Sequence, residues 1–260
     1  MVFEKYAQYY NLLYKDKDYQ AETDYILSII KKYQPETQKI LEFGSGSGIH
    51  GRLLANAGFH VSGIERSQEM IDQGHSANLG KNQNSTFSCI QGDCKSTIIG
   101  DHFDAVISLF HVLSYQTSNE EVLSMLKNAH RQLKPEGVFV FDYWYAPAVW
   151  SMGPTLRVKR VHNQQLAITR IAEPECFQKQ NIVKVKYQTF VEDLNSNHIS
   201  EIKETHEMRA FQTEEIEEFA NQTGFNLLHS EEWLSSHTPS KDTWGVCTVL
   251  QKKWRILWSI

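Results

Sequence analysis

Near the amino end, Tyr25, Ile26, Ile29, Ile30 and Tyr33 recur every three or four residues, which predicts an amphipathic helical segment over residues 4–33. Charged residues break it at 15–18, and Pro35 ends it, because proline disfavours helix in the residue before it. From Lys39 the pattern changes to short apolar runs alternating with amphipathic stretches: KILEF, HGRLLANAG, FHVSGIE, then SQEMIDQGHSA. That β-α-β rhythm predicts a parallel sheet. Further strands are expected at 86–90, 104–110 and 138–142, with a helix over 119–133. Lys134-Pro135-Glu136-Gly137 reads as the turn between that helix and the strand after it.

After Pro154 the runs become rich in Val, Ile and Thr (LRVKRV, QLAITRIAE, NIVKVKYQTFVED, SEIKETHEMRAF), which predicts antiparallel strands of an inserted cap. The α/β pattern then returns, with Thr213 as N-cap of a helix over EEIEEFANQ, Gly224 as its C-cap, and two closing strands, FNLLHSEEWL and TWGVCTVLQ. The chain therefore divides into an N-terminal helical segment (1–38), a main α/β domain (39–150 and 211–260) and a β cap (151–210) that serves substrate binding or dimerisation. No internal repeat is visible.

Composition narrows the function. Hydrophobic residues make up 41% and charged residues 22% of the 260, values of an ordinary globular protein able to bury a core. A net charge of −5 with interspersed lysines and arginines offers no basic stripe for a phosphate backbone, which argues against nucleic acid. The N-terminus lacks the basic-then-apolar pattern of an export signal, and no apolar run of membrane length occurs, so a cytoplasmic protein without a membrane partner is expected. Cys89, Cys94, Cys176 and Cys247 lack C-x-x-C spacing and are expected to be free thiols; the histidines are scattered, and no metal is expected.

The chemistry concentrates at Glu42-Phe43-Gly44-Ser45-Gly46-Ser47-Gly48, which follows an apolar strand and opens a helix. Glycines there let the backbone turn sharply and approach a ligand closely. Gly46 to Gly51 also spells G-x-G-x-x-G, so the glycines alone leave a nicotinamide cofactor and S-adenosylmethionine both open. Glu65, at the end of the second strand, can accept both ribose hydroxyls of an adenosine, and nicotinamide enzymes carry that acid too. An acid immediately before the glycine turn, Gly92-Asp93 after the third strand, and a seventh strand arriving through a final hairpin distinguish the two.

That ensemble resembles the class I S-adenosylmethionine-dependent methyltransferases, and implies a Rossmann-like, seven-stranded, mostly parallel sheet with an antiparallel last strand and an inserted antiparallel β cap. The resemblance implies that the Glu42, Gly44, Gly46, Gly48 loop holds the methionine portion, that Glu65 with Arg66 holds the ribose, and that Gly92 and Asp93 hold the adenine. The sulfonium is a cation that aromatic faces stabilise. Tyr6, Tyr9, Tyr10, Tyr14 and Tyr19 are candidates to cover it, Tyr10 and Tyr19 foremost, together with Phe110.

Ligands of open α/β sheets bind beyond the carboxyl ends of the strands. That brings the segment 110–115 and the run Asp142-Tyr143-Trp144-Tyr145 to the site, the latter as substrate-binding residues. Three consecutive aromatics cannot all bury on one face, so at least one lines a pocket. Lys17-Asp18-Tyr19, the glycine loop, the 110–115 segment, this aromatic run, the cap and the final helix are together most similar to the N-methyltransferases of nucleotide-linked deoxyamino sugars. In that family the position of Tyr115 is His or Tyr and faces the reacting amine. This chain departs from it at Val2, where a family tyrosine falls, and at His111, where serine is common. The resemblance implies methyl transfer to a sugar amine, with Tyr115 orienting the nucleophile and His111 assisting or accepting its proton. A sugar hydroxyl as acceptor, a nicotinamide oxidoreductase and a non-catalytic module are the competing readings. Edges of the cap strands can pair between subunits, which would make a homodimer.

Overall fold

A computed structural model describes residues 7–76, 86–100 and 102–254 of the chain; Val2 and Tyr6 lie outside the described residues. The first helical segment is two helices, α1 (Ala7–Leu13) and α2 (Tyr19–Tyr33). Asp18 separates them: its side chain accepts the Ala21 N–H at 2.9 Å and caps α2. Then follow β1 (Lys39–Phe43), α3 (Ile49–Asn56), β2 (His60–Glu65), α4 (Gln68–Ser76), β3 (Phe87–Gln91), β4 (Phe103–Ser108), α5 (Asn119–Gln132), β5 (Leu133–Tyr145) and α6 (Ala146–Met152). The cap strands are β6 (Arg157–His162), β7 (Leu166–Phe177), β8 (Ile182–Asp193) and β9 (His198–Phe211). The chain returns through α7 (Thr213–Gln222), β10 (Phe225–Glu232) and β11 (Gly245–Lys252).

The main sheet runs β3-β2-β1-β4-β5 in parallel, continues with β11 antiparallel to β5, and ends on β10. This is the expected Rossmann-like sheet of seven strands with its last strand reversed. Alternation along β1 assigns its two faces. Leu41 and Phe43 pack with Val122, Met125, Ile216 and Phe219 of α5 and α7, while Ile40 packs with Ile26, Ile29, Ile30 and Leu54 of α2 and α3. Each fully buried Leu, Ile or Phe contributes about 1.5–3 kcal/mol, so this three-layer packing is the main support of the domain.

The cap is a meander of antiparallel strands, β6-β7-β8-β9. It reaches the main sheet because Ala210 and Phe211 of β9 pair in parallel with Trp144 and Tyr145 of β5. Leu13 of α1 is fully buried with Val161, Ile168 and Val191 of the cap, so α1 is gripped by the cap as well as by the main domain.

Three local expectations are corrected. The strand expected to reach residue 110 ends at Ser108, because Phe110 and His111 adopt left-handed φ values of 67° and 65° that no ladder accommodates. The turn expected at 134–137 lies within β5 as an excursion: Phe103 pairs with Leu133 and Ala105 with Val138, and Glu136 takes φ 63°. Gln212, not Thr213, is the N-cap of α7, and Thr223 its C-cap, with Gly224 following at φ 82°. The four cysteines are unpaired, and burial pushes Cys89 and Cys94 up to about 12. Among the described residues no helix is long and apolar enough to cross a membrane.

Asp104 ties the amino end of β1 to β4 and β5. Its Oδ2 accepts the backbone N–H groups of Gln38 at 3.0 Å and Lys39 at 2.8 Å, and Oδ1 pairs with Lys134. Burial raises its pKa, but Lys134 and the two N–H donors outweigh that and hold it below the usual carboxylate value. Replacing Asp104 with Ala is expected to cost about 1–3 kcal/mol in urea unfolding at neutral pH. Because the folded pKa is depressed, this contribution is complete above the ordinary carboxylate range and fades as pH falls through the lowered value. A difference from wild type that stays constant into acid would refute the assignment.

Candidate active site

Beyond the carboxyl ends of the parallel strands, and beneath the cap, lies a cavity of about 800 Å³. Its floor is the glycine loop. Gly44, Gly46 and Gly48 all take left-handed φ, and a Cβ at Gly44 would stand 2.5 Å from Val112 Cγ2, so that position cannot carry a side chain without displacing the 110–115 segment. Glu65 fastens the loop: its Oε2 accepts the Gly46 N–H and its Oε1 the Ser67 N–H, each at 2.8 Å. Burial raises the Glu65 pKa, and these backbone donors only partly offset it.

Of the residues singled out in the sequence, Tyr10, Tyr19, Gly44, Gly46, Glu65, Arg66, Gly92, Asp93, Phe110, His111, Tyr115 and Trp144 line this cavity. Glu42 lies beneath the loop instead, 2% exposed, with His50 Nδ1 4.0 Å from its Oε1. Burial raises its pKa, and the nearby His50 offsets this only in part. His50 in turn meets Glu22 of α2 at 2.8 Å, and Lys17 meets the same Glu22 oxygen at 2.9 Å. Glu42 thus belongs to a buried charge chain that seats α2 against the start of α3. Gly48 is the N-cap of α3 and turns the chain into that helix.

The 110–115 segment is held in an unusual conformation. Two consecutive left-handed non-glycine residues cost about 1–3 kcal/mol each unless the surroundings over-determine them. Asp142, 1% exposed at the end of β5, supplies that constraint, because both its oxygens accept the His111 backbone N–H at 3.1 Å. His111 Nδ1 also lies 2.6 Å from Asp142 Oδ2, at an angle that does not make a hydrogen bond. The loop then enters a 3-10 turn, Val112–Tyr115, and Ser114 Oγ accepts the Trp144 N–H at 3.0 Å.

The aromatic run divides by strand parity. Trp144 faces the cavity, whereas Tyr143 is fully buried in the core with its hydroxyl 3.5 Å from Thr213 and Thr248. The expectation that Tyr143 lines the substrate pocket is corrected accordingly. Tyr145 is the N-cap of α6, and its N–H donates to the Trp244 carbonyl. Of the N-terminal tyrosines, Tyr14 stands edge-on to the Phe110 ring at 5.2 Å and Tyr10 at 6.5 Å, and Lys17 Nζ sits 3.6 Å from the Phe110 centroid. Asn11 accepts the Ser47 hydroxyl at 2.9 Å and fixes α1 to the glycine loop.

Sequence reasoning did not single out the cap residues of the cavity. Arg157, Arg170, Tyr187 and His206 all line it, and Tyr115 Oη lies 2.8 Å from His206 Nδ1. The available signal was the period of two in the cap strands, which puts Glu204, His206 and Met208 on one face of β9.

Comparison with known proteins agrees with this geometry. Residues 40–137 match the family model of a methyltransferase domain. The chain is 23% identical to the dTDP-3-amino-3,6-dideoxy-alpha-D-glucopyranose N,N-dimethyltransferase of Streptomyces fradiae, over 85% of this chain and 84% of that one. Among solved structures, it is similar in fold to the sugar N-methyltransferase KedS8 from Streptoalloteichus (TM-score 0.80, 18% identity, 96% of this chain and 93% of that chain). It is also similar in fold to CalS10, an amino pentose methyltransferase from Micromonospora echinaspora solved with SAM bound (TM-score 0.73, 20% identity, 97% and 98%).

The residues present fit that cofactor. An ionised carboxylate has about four acceptor positions; Glu65 commits one on each oxygen to the backbone and keeps the others for a vicinal diol such as ribose. Asp93, one-third exposed, stands across the cavity after β3 and can accept from an exocyclic amine. Replacing Glu65 with Ala is therefore expected to weaken S-adenosylhomocysteine, measured by titration calorimetry, by about 10- to 100-fold, the worth of hydrogen bonds to a buried charge. Asp93→Ala should cost less, since water reaches that site. Unchanged affinity in Glu65→Ala, with an unchanged melting curve, would remove Glu65 from the site. Residues 40–137 thus carry a methyltransferase domain, and the chain as a whole resembles the S-adenosylmethionine-dependent sugar N-methyltransferases.

Proposed function

We propose that the acceptor is the amino group of a nucleotide-linked sugar. The observation that carries this reading is the continuity of the cavity from Glu65, past Phe110 and Tyr115, to Arg157 and Arg170 on the cap. A cofactor adenosine between Glu65 and Asp93 leaves the cap side for a second molecule, and two guanidiniums there suit an acceptor bearing phosphates. Relatives named for dTDP-amino sugars support the same reading.

When bound, S-adenosylmethionine supplies an electrophilic methyl group on a sulfonium, and the chain is left to orient, shield and take up a proton. Tyr115 orients the nucleophile, and alignment of this kind accounts for much of the acceleration in bimolecular transfer. Tyr10, Tyr14 and Phe110 close the cavity against water on the α1 side. His111, against Asp142, assists or accepts the proton. That same His111–Asp142 contact favours a second reading, a sugar hydroxyl as acceptor, because a hydroxyl needs a base during attack. The cap, residues 151–210, is on either reading the acceptor-binding part.

The test offers S-adenosylmethionine with dTDP-3-amino-3,6-dideoxyglucose or with the matching dTDP-6-deoxyglucose and weighs the products by mass spectrometry. Methylation of the amino sugar alone is expected. Methylation of the hydroxyl sugar alone would replace the amine reading with the second one. On the productive acceptor, His111→Ala and Tyr115→Phe are each expected to lower kcat by about 10²-fold, and the roles given to them fail if both variants turn over like wild type.

A further inference from the structure

Tyr115 is not alone at the acceptor side of the cavity. Its hydroxyl oxygen lies 2.8 Å from His206 Nδ1, and His206 Nε2 lies 3.2 Å from Glu204 Oε2. His206 is 2% exposed, and both it and Glu204 project from the same face of β9, two residues apart. The two cap residues meet a tyrosine that follows β4, some 90 positions earlier in the chain.

The roles of the atoms follow from what each can do. A carboxylate only accepts, so the hydrogen on the imidazole sits at Nε2 and points at Glu204. Nδ1 is then an acceptor, and the Tyr115 hydroxyl donates to it. With its hydrogen turned toward the cap, the Tyr115 oxygen presents its lone pairs to the cavity. We propose that Tyr115, His206 and Glu204 form a relay that carries the acceptor's proton out of the cavity into the cap, with His206 and Glu204 as positioning residues and Tyr115 as the group that touches the acceptor. The proposal rests on the reading that the acceptor sits beside Tyr115, leaves His111 the assisting role and not that of proton acceptor, and applies to an amine or a hydroxyl alike.

The balance is simple. The acceptor's N–H or O–H bond breaks and its proton joins Tyr115 Oη as the proton already there passes to His206 Nδ1. The resulting imidazolium is held by the Glu204 carboxylate. A lone pair already on the acceptor atom forms the new bond to the methyl carbon, the pair of the broken N–H or O–H bond stays on that atom, and the pair of the broken C–S bond stays on sulfur. Among the described contacts, Tyr187 of β8 also faces His206, edge-on at 4.8 Å, and behind it stands Arg170 of β7, whose guanidinium lies 5.1 Å from the Tyr187 centroid. Burial pushes the Tyr187 hydroxyl up to about 12, so it stays neutral and adds no charge that competes with Glu204.

Two arms test this on the full chain. Nitrogen-15 NMR of imidazole-labelled protein should show one buried histidine as the Nε2–H tautomer, a signal absent in His206→Asn and altered in Glu204→Gln; an Nδ1–H tautomer at His206 would overturn the relay. The kinetic arm uses S-adenosylmethionine and dTDP-3-amino-3,6-dideoxyglucose. Asn at 206 can still accept the Tyr115 hydrogen bond through its carbonyl but cannot take a proton. His206→Asn is therefore expected to lower kcat about 10²-fold while KM stays within about threefold. The pH profile of kcat should keep the acid limb of the amine and lose a second limb that wild type shows. Unchanged kcat, or a lowered kcat with the wild-type profile, would reduce His206 to a packing residue and sink the proposal. If wild type does not turn over this sugar, the acceptor reading fails, and the tautomer alone decides the relay.

Discussion

One edge of one strand decides where the chemistry can occur. A strand edge can pair with a single neighbour at a time, and the β4 side of β5 is used twice in succession. From Val138 to Phe141 it pairs with β4, and at Trp144 and Tyr145 it pairs with β9 of the cap. The handover is possible because β4 stops at Ser108 and its chain turns away through Phe110 and His111. Between the two partners the N–H of Trp144 is taken by Ser114 Oγ, so that donor is not stranded at the junction. The kink that opens the cavity and the pairing that roofs it are thus the same event, and Asp142, by accepting the His111 N–H with both oxygens, stabilises it from below.

Electrostatics separates the cavity into two ends. On the main-domain side the lining carboxylates are Glu65, buried and bonded to backbone N–H groups, Asp93 and Glu121, and the neighbouring rings are tyrosines and Phe110. That end suits a ligand with hydroxyls, an amine and a delocalised cation. On the cap side stand Arg157 and Arg170, the latter donating to the Tyr14 hydroxyl at 3.1 Å. Tyr14 and Phe110 lie between the ends, edge to face, and α1 that carries the tyrosines is fixed to both sides, by Asn11 on the glycine loop and by Leu13 in the cap core. The helix α1 therefore spans the cavity and is fixed at both of its sides.

Much of this was legible in the sequence because it is local. Hydrophobic periods of 3.6 and 2 predict nearly every helix and strand, and the loop from Gly44 to Gly48 announces a close backbone approach by its composition alone. The acids Glu65 and Asp93 follow from their places after strands. Parity at a covered strand end was not legible: both faces of β5 carry helices, so its residues are buried without alternation up to Tyr143, and only the folded strand decides which of three consecutive aromatics turns to the cavity. The excursion at 134–137 was readable as a break, but not as one that leaves Leu133 paired with Phe103. Least legible was the meeting of Tyr115 with His206. It depends on the register of β9 against β8 and on the handover at Trp144, both products of long-range pairing that no local pattern encodes.

That dependence bears on how acceptor choice is built into this fold. The cofactor end is assembled from turns after strands of the parallel sheet, fixed by short connections that any member of the architecture repeats. The cap side of the cavity, the acceptor end on the proposed reading, is assembled from side chains of the cap strands, where a change of one residue in register would move every side chain to the opposite face. In β9 the alternation buries His206 and Met208 and leaves Thr205 and Glu207 exposed, and one step of slippage would exchange the two sets. The apolar contacts of Val183 and Val185 with Ala146, Val149 and Ala210, together with the two-residue parallel pairing at Ala210 and Phe211, hold that register. If the acceptor binds there as proposed, its specificity is set by packing outside the cavity, and the side chains that line it are only the last expression of that packing.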